Sequence, residues 1–130
     1  MDHTLDDSGK LILRLALGIM ILLHGIAKIT GGISGIEGML ADAGLPTILA
    51  YGVYIGEILA PILVILGLYA RIGAVLIAIN MVFAIALAHA HEVFQLTGHG
   101  GWALELQGMF LFTAIALALT GPGRFAINRQ

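Results

Sequence analysis

Apolar residues run almost unbroken through four stretches of the chain, residues 11–29, 48–69, 72–89 and 102–120, and polar residues gather between them. At a rise of about 1.5 Å per residue, roughly 20 residues cross a hydrocarbon layer about 30 Å thick, so the pattern predicts four membrane-spanning helices. The joints agree. Gly31-Gly32 ends the first run, and Gly44-Leu45-Pro46 breaks one helix and opens the next. Arg71 stands in a turn so short that the second and third runs are expected to be antiparallel neighbours. Gly98-His99-Gly100-Gly101 separates the third run from the fourth, and Gly121-Pro122-Gly123 stops the fourth. Between the first two runs, Ser34-Gly35-Ile36-Glu37 has the spacing of a capping box, with Met39, Leu40 and Ala43 on the stripe begun by Ile36. Residues 34–43 are therefore predicted to form a short helix lying on the membrane surface. The expected fold is all-α: a four-transmembrane-helix bundle with this interfacial helix between the first and second spans, residues 1–130 forming a single domain.

Composition supports the bilayer as the solvent. Of 130 residues, 59% are hydrophobic and 11% charged, and the mean hydropathy is +1.01. A soluble domain of this length could not hide so much apolar surface in its own core. The formal net charge of -2 gives no reason to expect a nucleic-acid partner. With no cysteine, the chain cannot itself supply disulfide exchange, thiolate zinc or a cysteine-held iron–sulfur cluster. Residues 1–10, MDHTLDDSGK, are polar and acidic where a secretory signal begins basic, so the first run is expected to remain as an anchor.

An even number of spans puts both termini on one side. Lys10, Arg14, Arg71, Arg124 and Arg129 collect there, and Lys28 alone lies opposite. The positive-inside rule then predicts a multi-pass protein of the cell (cytoplasmic) membrane with both termini cytoplasmic. Glu37, Asp42, Glu92 and His99 fall outside, with Tyr69 in the inner and Trp102 in the outer interfacial belt.

Depth and direction follow, because Cα–Cβ bonds tilt toward a helix's own N-terminus. Arg14 leans toward the cytoplasmic headgroups and reads as a snorkelling anchor. Glu57 is the costly residue. It stands roughly 13 Å below the outer end of the second span, where an ionised carboxylate must be paired, protonated or wet. Its side chain tilts outward, while those of His24 and Lys28 on the first span and His89 on the third tilt inward to the same level. A Lys28–Glu57 or His24–Glu57 contact is expected, with His24, Lys28, Glu57 and His89 around one polar pocket and Glu105 at its mouth beside Gln107. Gly52, Gly56 and Ala60 form a smooth stripe next to Glu57, matched by Gly18 and Gly25 on the first span, and read as helix contacts. Asn80 reads as a hydrogen bond to a neighbouring helix, His91 and Glu92 as solvated rim residues, and Pro61 as a kink beside Glu57.

These positions carry a family resemblance. Arg14-xxx-Gly18, His24-Gly25-xx-Lys28, Glu57, Gly67-Leu68-xx-Arg71, Glu105 and the terminal Gly121-Pro122-Gly123-Arg124 together resemble the DoxX family of small four-helix membrane proteins, over nearly the whole chain. Asn128 departs from the pattern, which leads one to expect an aspartate after the Gly-Pro-Gly turn. The resemblance implies association with membrane redox systems, including quinone-linked sulfur oxidation and oxidative-stress complexes, and transfers no catalytic residues.

Three functional readings follow. The first is a quinone-interacting or accessory subunit of a membrane oxidoreductase, where His24, Lys28, Glu57 and His89 offer hydrogen bonds and protons to a quinone headgroup, with a redox partner subunit supplying electrons. The second is a proton or small-solute transporter, which needs intramembrane Glu, His and Lys, although nothing but Asn80 continues the polar cluster inward. The third is a non-catalytic assembly subunit, possible also as a homo-oligomer, in which the cluster only fixes helix register. A metal or haem site through His24, His89, His91, His99, Glu57 and Glu105 is disfavoured, since no His-xxx-His spacing occurs.

Overall fold

A computed structural model of the protein describes residues 3–128 and Gln130. Arg129, counted above among the basic residues near the termini, lies outside the described residues. Five helices carry the fold, and no strand occurs among the described residues. They are α1 (Thr4–Gly31), α2 (Ser34–Asp42), α3 (Thr47–Leu66), α4 (Ala70–Ala88) and α5 (Glu105–Thr120). Three of them, α1, α3 and α4, are long and apolar enough to cross a membrane, whereas α5 is a shorter apolar helix of 16 residues.

The helix boundaries have local causes. α1 begins seven residues before its apolar run, with Asp6 and Asp7 in the first turn, where carboxylates favour the positive end of the helix dipole. It stops at Gly32, whose φ of 82° takes the chain out of the helix. The expected capping box does not form: Ile33 occupies the cap position, Ser34 is already helical, and no side-chain cap bond is made. At the other end of α2, Leu45 N–H reaches Leu40 O at 2.9 Å and Gly44 N–H reaches Ala41 O at 3.0 Å, the paired bonds of a Schellman motif with Gly44 at φ 75°. The same closure ends α3, where Leu68 bonds Leu63 and Gly67, at φ 68°, bonds Val64.

The helix of the fourth apolar run, α5, starts later than the pattern suggests, at Glu105 and not Trp102. Residues 93–104 fold back on themselves, with Thr97 N–H to Gly101 O at 2.7 Å and Ala103 N–H to Gln95 O at 3.0 Å. Trp102 belongs to this loop. Its indole donates to Val93 O at 2.7 Å, and its ring covers Gly108 so closely that a Cβ there would meet it at 2.6 Å.

α1, α3, α4 and α5 pack in that cyclic order, each against the next. Leu17, Ile21, Val64, Ile77, Met81, Phe110 and Leu117 fill the centre. The outward faces carry Ile12, Ile19, Leu23, Ile55, Ile79, Phe83 and Phe112 exposed, a belt that water would penalise and lipid would not. α2 closes one end, its Leu40 buried with Ile33 and Ala50 and its Ile36 packed on the same cluster with Tyr54 and Leu87.

Arg14 corrects the snorkelling reading. It is 1% exposed, and its guanidinium donates to four carbonyls: Val64 at 2.9 Å, Ile65 at 2.9 Å, Pro122 at 3.2 Å and Phe125 at 2.7 Å. The first two belong to the last turn of α3, whose carbonyls carry the negative end of the helix dipole. The other two come from the segment after α5, so one side chain ties three parts of the chain at the end opposite α2. Arg71 does related work at α5, with Nη1 3.5 Å from Ala118 O and 3.4 Å from Leu119 O. Asn128, standing where an acid was expected, accepts from Tyr69 N–H at 2.9 Å and holds the tail to the α3–α4 turn.

Candidate functional site

Glu57 sits in an irregular turn of α3. From Ile55 to Leu59 the helix widens, and Ala60 N–H bonds Ile55 O across five residues in place of four. Pro61 supplies the reason. It has no N–H to offer the Glu57 carbonyl and its ring crowds that oxygen, so the turn before it slackens. The loosened carbonyl lies against α1 at Gly25, where a Cβ would collide with it. Further along α1, a Cβ at Gly18 would stand 3.1 Å from Pro61 O. The two glycines thus let α1 approach the irregular part of α3.

The Glu57 side chain is 5% exposed and both oxygens are engaged. Lys28 Nζ on α1 lies 2.5 Å from Oε1, and Asn80 Nδ2 on α4 donates to Oε2 at 3.0 Å. Gly56 permits the second contact, since a Cβ there would stand 2.6 Å from Asn80 Cγ. One carboxylate therefore joins three helices, with an ammonium and a neutral amide sharing its charge.

This triad borders a cavity of about 410 Å³ between α3 and α4, roofed by Ile36, Met39 and Leu40 of α2. Lys28, Glu57, Asn80 and His89 are its polar margin, and the rest of the wall is mainly aliphatic with Phe83. Leu49, Ile55, Ile79 and Phe83 are each about half exposed at its edge, so it opens sideways on the outward faces of α3 and α4. Gly52 also borders it and has nothing within 4 Å of the position a Cβ would take.

Of the sequence-predicted site residues, the structure thus brings together Lys28, Glu57 and His89 and leaves out His24 and Glu105. His24 is exposed on the α1–α5 side, its ring edge-on to Phe110 at 5.9 Å, in a shallow groove with Met20, Leu23 and Leu106. Glu105 is exposed in the first turn of α5, folded over Gly101. Asn80 joins the site in their place. Its expected bond to a neighbouring helix is made, and the partner is the acid itself. Among the described residues, no three His, Asp or Glu side chains cluster as a metal site.

Fold and site together define a class: a small helical membrane protein, multi-pass, with a buried acid tied to basic and amide partners beside a side-opening cavity. The chain belongs to the DoxX family, whose model matches residues 9–90. Over 122 residues, covering 94% of this chain and 86% of the relative, it is 33% identical to a Bacillus subtilis protein named "Putative oxidoreductase CatD". It is 30% identical over 122 residues to an uncharacterized protein of Haemophilus influenzae, covering 91% of this chain and 87% of that one. No solved structure matches the chain.

Proposed function

We propose that the protein is a quinone-interacting or accessory subunit of a membrane oxidoreductase system, with the cavity between α3 and α4 as its ligand site. The observation that carries this reading is the pairing of an apolar, side-opening slot with a short polar margin. A quinone asks for that combination, since its ring and tail prefer lipid-like walls and its two carbonyl oxygens need donors. Lys28 has ammonium protons beyond the one given to Glu57, and His89 has a ring nitrogen to offer. The volume lies within the usual range of roughly 300–1,000 Å³ for small-molecule sites. The oxidoreductase name of the Bacillus relative is consistent with it. In this reading a redox partner subunit brings the electrons, and this chain binds, orients and exchanges protons.

The same reading sets the protein in the cell membrane. α5 completes a fourth span, α2 lies along the outer surface over the cavity, and the termini are cytoplasmic. Lys10, Arg14, Arg71 and Arg124 at the end opposite α2 support that orientation through the positive-inside rule. A structural reading has one observation in its favour: both oxygens of Glu57 are already satisfied, as in a cluster that only locks α1, α3 and α4 in register.

The test is a binding isotherm in lipid nanodiscs with short-chain ubiquinone and menaquinone analogues. Saturable binding by the wild type is expected, with loss on Gly52→Leu, which fills the slot from a position that has room for a side chain. If neither analogue binds, or Gly52→Leu binds equally well, the register-locking reading replaces the quinone one.

A further inference from the structure

His89, His91 and Glu92 form a second group of titratable side chains, which the triad at Glu57 does not use. His89 ends α4, and the single turn Ala90–Glu92 folds back so that Glu92 N–H bonds His89 O at 2.9 Å. That turn sets the Glu92 carboxylate between two imidazoles. Its Oε2 is 3.4 Å from His89 Nδ1, and its Oε1 is 3.4 Å from His91 Nε2. His91 is the outer member, its side chain 72% exposed against 28% for Glu92 and 33% for His89. His89 Nδ1 is itself shut off from solvent and makes no hydrogen bond, an unusual state for a buried polar atom, while the His89 ring borders the cavity.

We propose that His91, Glu92 and His89 are a proton inlet to this cavity, connecting the solvent at the α2 end of the bundle with the bound ligand. The inference rests on the cavity being the ligand site. A carboxylate facing Nδ1 favours the tautomer with the proton on Nδ1, whereas Glu92 carrying a proton favours the one with the proton on Nε2 and Nδ1 as acceptor, so the state of Glu92 sets which way a proton moves through the ring. Glu92 takes a proton from His91 and passes it to His89 Nδ1. The imidazolium then releases its Nε2 proton to a ligand oxygen, so one proton enters His89 as another leaves and no electron moves. The reverse sequence carries a proton out. Lys28 and Glu57 are the other charged groups on the cavity wall, and Glu92 is the one behind the ring. α2 also packs on α4, but its Glu37 and Asp42 do not border the cavity. The Lys28–Glu57 pair stands across the same space as the terminal donor or acceptor.

Two measurements in nanodiscs test the inlet. A coloured, acidic 2-hydroxy-3-alkyl-1,4-naphthoquinone reports its own protonation after a pH jump. Glu92→Gln is expected to slow that relaxation roughly 10-fold or more without changing the binding isotherm, because it removes the proton-carrying bridge between the two imidazoles. Nitrogen-15 NMR follows proton exchange at the His89 ring in ligand-free protein, where Glu92→Gln and His91→Gln are both expected to slow it. Imidazole in the buffer should rescue His91→Gln and not Glu92→Gln, a distinction a merely structural role would not produce. His91 is exposed, so its variant remains informative if Glu92→Gln does not fold. Wild-type exchange rates at His89 in the variants overturn the inlet. A naphthoquinone that fails to bind overturns the quinone reading instead and leaves the NMR result to decide the inlet.

Discussion

The ion pair between Lys28 and Glu57 is unequal: 2.5 Å apart, the two side chains differ sixfold in exposure, 30% for the lysine and 5% for the acid. Lys28→Met therefore leaves a buried carboxylate with Asn80 alone and is expected to cost about 2–4 kcal/mol of unfolding free energy. Glu57→Gln frees a lysine that can turn to the rim, and should cost about 1 kcal/mol. Reversible unfolding in mixed micelles measures both. Equal losses would mean that the acid is less enclosed than its position indicates. The double variant Lys28→Met/Glu57→Leu should lose less than the sum of its parts.

Asn80→Asp places a second carboxylate against Glu57 Oε2, replacing a 3.0 Å donor by a repelling acceptor. At neutral pH this variant should be less stable than Asn80→Ala. Melting temperatures of the two variants, compared at that pH, check the order.

The same substitution should have opposite signs at two glycines. Gly25→Ala drives a methyl into the Glu57 carbonyl and should separate α1 from α3 at a cost of about 1–3 kcal/mol. Gly35→Ala, inside α2 with nothing within 4 Å, should stabilise by about 0.4–1 kcal/mol. Unfolding curves of the two variants make the comparison.

Arg14→Lys keeps the charge and loses the planar fork that reaches four carbonyls. A loss of about 2–3 kcal/mol is expected, with faster proteolysis of the segment after Thr120. Stability and cleavage at the wild-type level would mean that an ammonium serves equally well there.

How far these relationships could be read in advance depended on the range of the forces involved. The Lys28–Glu57 contact was legible because a carboxylate deep in an apolar run has few affordable partners, and helix direction told which side chains point to its level. His24 obeyed the same tilt rule but not the rotation. It lies about 100° round α1 from Gly25, the point of closest approach to α3, against about 60° for Lys28, and its short ring cannot make up the difference as a four-carbon stem can. Glu105 failed for a local reason. Trp102 is held in a loop by Val93 O and Gly108, which delays the start of α5 and leaves the acid in its exposed first turn. Arg14 could not be foreseen, because its acceptors are backbone carbonyls 50 to 111 residues away, and any residue type can supply a carbonyl. For Asn80 the signal was Gly56 next to the acid, read as a helix contact, which leaves room for the amide.

The clamp on Arg14 joins parts of the chain that are made far apart in time. Its guanidinium enters the membrane with the first helix, while Pro122 and Phe125, two of its four acceptors, are synthesised 108 and 111 residues later. Until then the charge is only half satisfied, and a nascent chain presents a defect that the folded one lacks. The segment after α5 is thereby a late latch on the first helix.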